Sequence, residues 1–505
     1  MKNSIIKIIG AVAVINLVSR FLGFIREVII GYHFGTSYLA DSVITAYTIP
    51  NFIYIVAGGA ITTAFISVYS KSENSIIQSQ IREVLFTYTV IIFSIISIVF
   101  MVFPTWWTNL FFSGLSTEEL KTTANLFQIM APSTLFLVLS MFLSGILNVN
   151  ERFRLTAFAP LVNNFLYVLI ALLFFPILHE RAYGWGALFA SIAMIFMLIR
   201  GIRNMGVSTL KLRFTMEDKG YIVRFLKISI PILLGGATLQ FYFLIHRIFA
   251  SSLESGFISA LNYASKLVQL PQSILMAAVT TVIYPLIAKR IKEREYGELG
   301  KMYSSGLQYL FFLMVPSTIF LYFYAEEVIR IVFENGSFDH QSTLMTSNLL
   351  KITVIGMFAH AANLYVTRFY YAMEKAFLPV ASGVIAVFGV NILIIVLFID
   401  QFGAAAIAWA TTISAYIQLA ILLFYARLKL KLFINANMNI LKQIILGFFI
   451  TILIMALIKW LPVKSDIMTV IIGLVAIGVS VVIGSYILKI KELEALLSMG
   501  RKRKG

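Results

Sequence analysis

Cysteine is absent from this 505-residue chain, and charged residues make up only 12% of it. Without cysteine, the chain cannot form disulfides, thiolate metal sites or a cysteine nucleophile. No GxxxxGK[ST] loop is present to hold nucleotide phosphates. The histidines follow no metal-ligand spacing (His33, His179, His246, His340 and His360). We therefore expect no metal site, no cofactor and no enzymatic activity, and an ATP-driven pump is disfavoured.

Apolar side chains are abundant instead. Hydrophobic residues make up 60% of the chain, and its mean hydropathy is +0.90. A soluble core cannot absorb that much apolar surface, so the composition predicts an all-α polytopic membrane protein. Apolar windows of roughly twenty residues predict about fourteen transmembrane helices, at 8–31, 38–69, 83–104, 125–149, 155–177, 183–204, 226–250, 257–288, 304–325, 345–372, 376–399, 402–426, 438–461 and 466–488.

These windows form groups of six, six and two. The predicted domains are an N-terminal six-helix lobe (1–205), a cytoplasmic linker (206–225), a C-terminal six-helix lobe (226–430) and a last segment (431–505). This last segment holds two extra helices and a basic cytoplasmic tail. Two interpretations of the extra helices stay open, because they could add only structural mass or could present an apolar groove to a lipid tail.

The distribution of lysine and arginine predicts the orientation, because cationic loops resist translocation. With a cytoplasmic N-terminus, the outside segments contain only Lys121, Arg181, Arg330, Lys459 and Lys464, and most other cations fall inside. A missed helix would scramble this asymmetry in every later loop. We therefore expect a multi-pass protein of the bacterial cytoplasmic membrane with both termini in the cytoplasm.

The same distribution accounts for the formal net charge of +17. Most of the positive charge lies at the cytoplasmic membrane surface, where anionic lipids are the natural neighbours. Anionic membrane lipids are thus the expected partners of this surface, and nucleic acid is not.

A long internal repeat relates the two six-helix groups. Arg26 precedes Pro50 by the same 24 residues that separate Arg247 from Pro271. Because six is an even number, both copies begin on the same side of the membrane and are parallel repeats, which in transporters rock about a central cavity. Pro50 and Pro271 are predicted to break the second helix of each copy at matching depth, where irregular backbone must line protein or water.

Charged residues within the predicted spans point to an anionic ligand. Charge in a bilayer costs a few kcal/mol per residue, so these side chains should face the interior and have partners. The basic residues are Arg20, Arg26, Arg247, Lys266, Lys351 and Arg368, and the acidic ones are Glu27 and Asp41. Two carboxylates cannot neutralise six cations, whereas an anionic ligand can. Lys351 and Arg368 lie near span ends and either snorkel or bind; Arg247 either contacts ligand or has a structural partner.

Several segments resemble one transporter family. "SRFLGFIREVIIGYHFG" (19–35), "IPNFIY" (49–54), "GGAITTAFISVYSK" (58–71) and "LIHRIFASSLESGFISALNYASKLVQLPQSIL" (244–275) are similar to the MurJ/MviN family of lipid II flippases in the MOP exporter superfamily. The resemblance implies two lobes around a cationic cavity that binds the pyrophosphate and sugar-peptide head of lipid II. It also implies that the last two helices hold the undecaprenyl tail, and it makes cell-wall synthesis proteins candidate partners.

By motif, the resemblance assigns substrate contacts to individual residues. The family's first-helix arginines fall on Arg20 and Arg26, its second-helix aspartate on Asp41 and its eighth-helix arginine on Lys266. Lysine keeps the charge but loses the bidentate fork of arginine. With Arg247, these are the predicted substrate-binding residues, and Glu27 is the predicted counter-charge of the arginines.

Two positions depart from the family pattern. The basic pair that often follows "PN" in the second helix is missing, since Phe52 to Ile55 carry no charge. The seventh-helix aspartate that resembles part of a sodium site is replaced by His246. Asn391 and Thr411 would be the other polar members of that possible ion site, and without the carboxylate we do not predict sodium coupling.

The predicted function is movement of lipid II from the inner to the outer leaflet by alternating access. An alternative is a flippase for another undecaprenyl-linked polysaccharide unit, which the missing basic pair leaves open. A cation-coupled multidrug exporter is less favoured, because such proteins hold cationic drugs with acidic residues. A non-transporting scaffold is a further alternative, and it predicts that Arg26→Ala is tolerated.

Overall fold

The computed structural model describes residues 2–72, 74–206, 211–236, 238–279, 283–434, 438–460 and 465–493, which contain helices and no strand. The all-α prediction is confirmed. The helices are α1 (Lys2–Phe34), α2 (Tyr38–Ile53), α3 (Gly59–Tyr69), α4 (Ser75–Val102), α5 (Pro104–Phe111), α6 (Thr117–Met130), α7 (Ser133–Val149), α8 (Phe153–Leu178), α9 (Arg181–Arg203), α10 (Gly220–Gly236), α11 (Thr238–Ala250), α12 (Phe257–Ala278), α13 (Tyr284–Lys292), α14 (Tyr296–Phe323), α15 (Ala325–Phe333), α16 (His340–Ile355), α17 (Met357–Ala372), α18 (Phe377–Val384), α19 (Ile392–Phe402), α20 (Ala404–Tyr425), α21 (Met438–Trp460) and α22 (Asp466–Ile487).

Length and apolar composition mark out the helices that can cross a membrane. Within the described ranges there are nine, and counting each of two bent helix pairs as one span gives eleven. The remaining predicted windows fall on α1, on α10 with α11, and on α12 with α13. Each of the fourteen predicted windows therefore coincides with helical segments. The predicted basic tail, from residue 494 onward, lies outside the described residues.

The bends and turns of the two halves confirm the internal repeat. The pair α6 and α7 is bent by 42°, and the corresponding pair α16 and α17 by 43°. Glu151 and Glu374, which follow these pairs, both have left-handed backbone with φ near 59°. Gly35 and Gly256, which the repeat also aligns, have φ of 60° and 97°. Such matched irregularities indicate one helical plan used twice.

Neither Pro50 nor Pro271 ends its helix, which corrects the predicted helix break. Both lie inside continuous helices, α2 and α12. The departure from α-helical geometry follows Pro50 by four residues, where a π-helical turn spans Tyr54–Gly58 and leads directly into α3. Proline lacks an N–H and crowds the preceding turn. A widened turn with one extra residue accommodates this without breaking the span, and such turns are common at functional sites.

The chain forms two compact units that divide between Ser259 and Ala260. The first unit includes α10 and α11, because α10 packs on α3 and α11 packs on α2. The boundary therefore lies later than the linker at 206–225. The six-helix lobes were defined by the sequence repeat and not by compactness, and this division remains a prediction.

The described part of the linker, from residue 211, runs back along α4 as an extended strap. Gln80 forms a reciprocal pair with Glu217: its Oε1 accepts from the Glu217 N–H (3.1 Å) and its Nε2 donates to Glu217 Oε1 (2.8 Å). The Arg213 N–H donates to Thr87 Oγ1 at 2.8 Å, and Met216 is buried in the apolar core of the first unit. The Gly220 N–H donates to Asp218 Oδ1, so α10 begins earlier than the predicted linker end.

Gln80→Ala should loosen this strap. The change removes both hydrogen bonds to Glu217, which together contribute about 1–3 kcal/mol. We expect trypsin to cut after Arg213 at least about tenfold faster, because cleavage follows the population of the open strap. Gln401→Ala, at an exposed position of α19, is the matched control. Equal cleavage rates in both variants would mean that the pair does not hold the strap.

In the second unit, the last two helices pack on α14 and α15. Arg330 of α15 pairs with Asp466 at the start of α22 (2.7 Å) and with Glu326 and Glu334 of its own neighbourhood. Partial burial opposes the charged form of Arg330, but these carboxylates outweigh it and raise its pKa. Tyr324 lies against Gly473 of α22 so closely that a Cβ there would clash. The last helix is therefore fixed at this end, and its role toward a lipid tail stays a prediction.

Candidate functional site

Arg26 and Glu27 form an ion pair in the middle of the first unit. Arg26 Nη2 lies 2.7 Å from Glu27 Oε1, and the exposed side-chain fractions are 14% and 4%. Two charged groups lose most of their hydration at this depth, and their attraction offsets the cost only with further partners. The counter-charge role predicted for Glu27 toward Arg26 is thus observed.

Two tyrosines cage the guanidinium of Arg26. Its Cζ lies 5.3 Å from the ring centre of Tyr47 on α2 and 5.1 Å from that of Tyr167 on α8. The two rings are stacked with centroids 5.9 Å apart. Cation–π contacts that are shielded from water are worth about 2 kcal/mol or more. The cage therefore fixes the guanidinium, and its Nε is buried without an acceptor in the described ranges.

Gly186 makes room for the cage from α9. A Cβ on this glycine would lie 2.9 Å from Tyr167 Cδ2 and 3.1 Å from the Tyr167 carbonyl oxygen. Real Cβ atoms do not approach ring carbons so closely, so any side chain would push Tyr167 or α8 away. Gly186 thus determines where Tyr167 can stand beside Arg26.

Gly186→Ala should impair function, because the new methyl group would displace Tyr167 from Arg26. We expect the ring to shift and the cage to open, with at least about tenfold weaker support of growth in a complementation assay, since loss of a buried cation–π contact costs about 2 kcal/mol. Tyr167→Phe keeps an aromatic face and should be tolerated better than Tyr167→Leu. Gly59→Ala is the control, because its Cβ meets nothing within 4 Å. Full growth with Gly186→Ala would argue against the cage.

Arg247 of α11 adds a second cation to this region. Its Nη1 donates to Thr48 Oγ1 of α2 at 2.6 Å. Arg247 is also within electrostatic range of Glu27 and Arg26. The two repeat-related arginines thus meet around one carboxylate, which leaves this cluster with a net positive charge. Arg247 has the structural partner that the sequence left open, and ligand contact by Arg247 stays a prediction.

Arg20, predicted to act with Arg26, has a different environment. It is exposed on α1 and forms no ion pair with any described residue. The exposed face of α1 around it is apolar, with Leu17 and Phe21 also exposed. The structure thus separates the two arginines into a buried cation and an exposed one, and substrate contact by Arg20 remains a prediction.

Asp41 caps a helix rather than facing open volume. Its Oδ2 accepts from the Gly256 N–H (2.6 Å) and its Oδ1 from the Ser259 N–H (2.7 Å), at the start of α12. A carboxylate at a helix N-terminus satisfies free N–H groups and the helix dipole. Asp41 is only 3% exposed. Each oxygen thus accepts one backbone hydrogen bond, and substrate contact by Asp41 stays a prediction.

Further contacts hold the turn between α11 and α12 against α2 and α6. We call this set, centred on Asp41, Glu119 and Gly256, the clasp. Ser255 Oγ donates a short hydrogen bond to Glu119 Oε1, and the Glu119 Oε2 accepts from the Ser116 N–H. At Gly256, φ is +97° and a Cβ would lie 2.1 Å from the Thr36 carbonyl oxygen, so only glycine fits. The clasp fastens one end of α2 and α6 to the start of α12.

The remaining predicted site residues lie in different places. Lys266 is partly buried on α12 in the second unit. Asn391 ends the π-helical turn Ile385–Asn391, fully buried, and neither of its amide atoms has a partner. The Thr411 hydroxyl donates to the Ile407 carbonyl of its own helix, α20, which packs against that turn. His246 lies against the Tyr242 ring in the first unit. The possible ion site therefore stays a prediction.

Sequence reasoning missed the tyrosine cage and Gly186. Tyr47 and Tyr167 are ordinary residues of apolar helices, and chain distance does not reveal that α2 and α8 meet. The signal that could have helped is "GWG" at 184–186, since two glycines in one helical turn indicate close packing. Glu119 was missed because "STEE" at 116–119 reads only as a capping box, which it also forms.

Comparison with known proteins gives matches over nearly the whole chain. A model of the family described as lipid II flippase MurJ matches residues 30–479. A probable lipid II flippase MurJ of Buchnera aphidicola is 26% identical over 439 residues, which are 83% of each chain. That of Rhizobium tropici is 27% identical over 430 residues, which are 82% of this chain and 79% of the relative.

Solved structures agree with these sequence matches. A lipid II flippase MurJ in an inward closed conformation is 25% identical with a TM-score of 0.83, covering 94% of this chain and 99% of that one. An inward-facing MATE family multidrug transporter of the MOP superfamily has a TM-score of 0.69 at 11% identity, covering 83% and 98%. The second likeness concerns the fold alone. The resemblance inferred from the first, second, seventh and eighth helices is confirmed.

Proposed function

Because the chain belongs to the lipid II flippase MurJ family, we propose that it moves lipid II from the inner to the outer leaflet of a bacterial cytoplasmic membrane. The observation that carries the proposal is the caged Arg26, a buried cation whose Nε lacks an acceptor. An unmet buried donor costs about 1–3 kcal/mol. A phosphate oxygen of the substrate's pyrophosphate would satisfy it.

The charges around Arg26 favour an anionic head group. Arg26 and Arg247 together exceed the single negative charge of Glu27. A pyrophosphate would complete the neutralisation and accept charge-assisted hydrogen bonds, which are stronger than neutral ones. Arg20 and Lys266 are the further substrate contacts that we propose from the family motif. Cationic drugs would be repelled by the same cluster, which disfavours multidrug export.

Alternating access gives the clasp its role. We assign it to the side opposite the cationic loops, because α2 begins there in the proposed orientation with both termini in the cytoplasm. While the clasp is fastened, that side is closed, and its release would free the start of α12. Pro50 and Pro271, each inside a helix of the corresponding repeat position, are the proposed flexible points.

Partners beyond the substrate follow from the same assignment. Anionic lipids should associate with the cationic loops, because each lysine or arginine near such a surface contributes about 1 kcal/mol. We propose that cell-wall synthesis proteins associate with this protein and supply it with newly made lipid II. The two six-helix lobes would be the moving bodies.

Complementation tests the proposal. A bacterium depleted of its own MurJ should regain growth when it expresses this protein, and inward-facing lipid II should stop accumulating. Reconstituted vesicles provide the substrate test, since labelled lipid II should become accessible on the opposite leaflet and another undecaprenyl-linked glycan should not. Absence of both growth and lipid II transfer, with normal membrane levels of the protein, would overturn the proposal.

A further inference from the structure

Arg368 is a second arginine of unusual environment, located on α17 in the second unit. It is partly buried, and its Nε is fully buried without an acceptor among the described residues. Its Cζ lies 6.0 Å from the ring centre of Tyr284 on α13, a helix that packs against α17. Tyr371, one turn further along α17, is within electrostatic range. The guanidinium therefore lies at the ring of Tyr284, with Tyr371 within electrostatic range.

No carboxylate compensates this cation in the described part of the chain. Arg368 takes part in none of the ion pairs formed by described residues, whereas Arg26 in its own tyrosine cage has Glu27. The segment 274–283, which precedes Tyr284, contains no acidic residue in the sequence. A partly desolvated arginine without a counter-ion is costly and points to a ligand that supplies the negative charge.

Snorkelling alone does not account for this environment. A snorkelling arginine extends its guanidinium into water along an apolar stem. Here the Nε is withdrawn from solvent and the guanidinium lies at an aromatic ring. This arrangement holds the planar group in a fixed orientation, and arginine is suited to bidentate recognition of phosphate oxygens.

Charge on the neighbouring helix favours the same class of ligand. The last turn of α13 contains Lys289, Arg290 and Lys292. Glu293 and Glu295 pair with the first two, and Lys292 takes part in no ion pair with a described residue. The last turn of α13 thus keeps a net positive charge, and because α13 packs against α17, this charge would attract an anion toward the two helices.

We propose that Arg368, held by Tyr284, forms a binding site for a phosphate-bearing anion in the second unit. The guanidinium would donate to phosphate oxygens, and Tyr284 would orient it. The ligand is either a phospholipid head group or a soluble or lipid-linked pyrophosphate. The site does not depend on which lipid the protein transports.

Binding to purified full-length protein tests the site, in a background in which Arg26→Gln weakens anion binding at the Arg26 cluster. Inorganic pyrophosphate is titrated in detergent, and nanodiscs of phosphatidylglycerol or phosphatidylcholine provide the lipid arm. Arg368→Gln should weaken pyrophosphate binding or phosphatidylglycerol retention at least about tenfold, the loss of a charge-assisted hydrogen bond. Lys459→Gln, at an exposed lysine of α21 in the same unit and outside the cationic loops, should change neither.

The two arms identify the source of the anion. Loss of pyrophosphate binding identifies a pyrophosphate site, and loss of phosphatidylglycerol retention alone identifies a lipid head group. Tyr284→Phe should keep most of the binding and Tyr284→Leu should reduce it, which separates orientation from folding. Arg368→Lys keeps the positive charge and serves as the folding control. A single size-exclusion peak is the criterion for correct folding. Equal binding by Arg368→Gln and Lys459→Gln in both arms would overturn the proposal.

Discussion

Arg26→Ala should abolish rescue of a MurJ-depleted bacterium while the protein still reaches the membrane. The substitution removes the caged cation and its free Nε donor, and it leaves Glu27 with one arginine fewer. Each charge-assisted hydrogen bond to substrate is worth about 1.5–3 kcal/mol, so transport in vesicles should fall at least about tenfold. Arg26→Lys keeps the charge without the fork and should be intermediate.

Two further variants separate a binding defect from a folding defect. Removing one partner of a buried pair leaves an uncompensated charge, which destabilises by itself. The double variant Arg26→Gln/Glu27→Gln removes both charges and should fold better than Arg26→Ala but remain inactive. Arg203→Ala, at an exposed position on α9, should behave as wild type. Normal growth with Arg26→Ala would show that transport does not depend on the caged cation.

Asp41→Asn should open the clasp. Asparagine keeps one acceptor oxygen at one of the two N–H groups of Gly256 and Ser259. Its NH2 group would face the other N–H group, where two donors cannot bond. We expect a loss of about 2 kcal/mol, which shifts the closed population roughly thirtyfold. Because the chain has no cysteine, Ala40→Cys provides a single labelling site beside Asp41 that is buried in the clasp.

Labelling of that cysteine by an impermeant maleimide measures the opening. In the Asp41→Asn background the rate should rise at least about tenfold, in proportion to the open population, and transport should be impaired because one side no longer closes. Gly256→Ala should have a similar effect, since its Cβ would meet the Thr36 carbonyl oxygen. Asp400→Asn, at an exposed aspartate, is the control. An unchanged labelling rate in Asp41→Asn would remove the clasp from the mechanism.

The helices could be predicted from sequence because the bilayer imposes length and apolarity on each of them. The Arg26–Glu27 pair was predictable for a related reason, since charge at that depth requires a local partner. The repeat was detectable because Arg26 and Pro50 have equivalents at Arg247 and Pro271. The bent helix pairs occur at corresponding positions of the two copies. All these features depend on local composition or on spacing along one chain.

What could not be predicted depends on which helices meet. The family motif assigned Asp41 to substrate, but it could not show that the carboxylate accepts from Gly256 and Ser259 at the start of α12. Tyr167 became part of the cage only through Gly186 on another helix. Prolines predict local irregularity, yet whether a helix ends or widens into a π-helical turn is decided by the packing of the next segment.

The π-helical turn at Tyr54–Gly58 changes the direction in which the side chains before and after it point within one span. One residue in a helix corresponds to a rotation of about 100°, so an extra residue in the turn redirects every side chain after it. Before the turn, Tyr47 and Thr48 point to the arginines. After it, Phe65 and Val68 point into the apolar core. A single-residue deletion there would keep the span's hydropathy but present the wrong face to one of its two neighbourhoods.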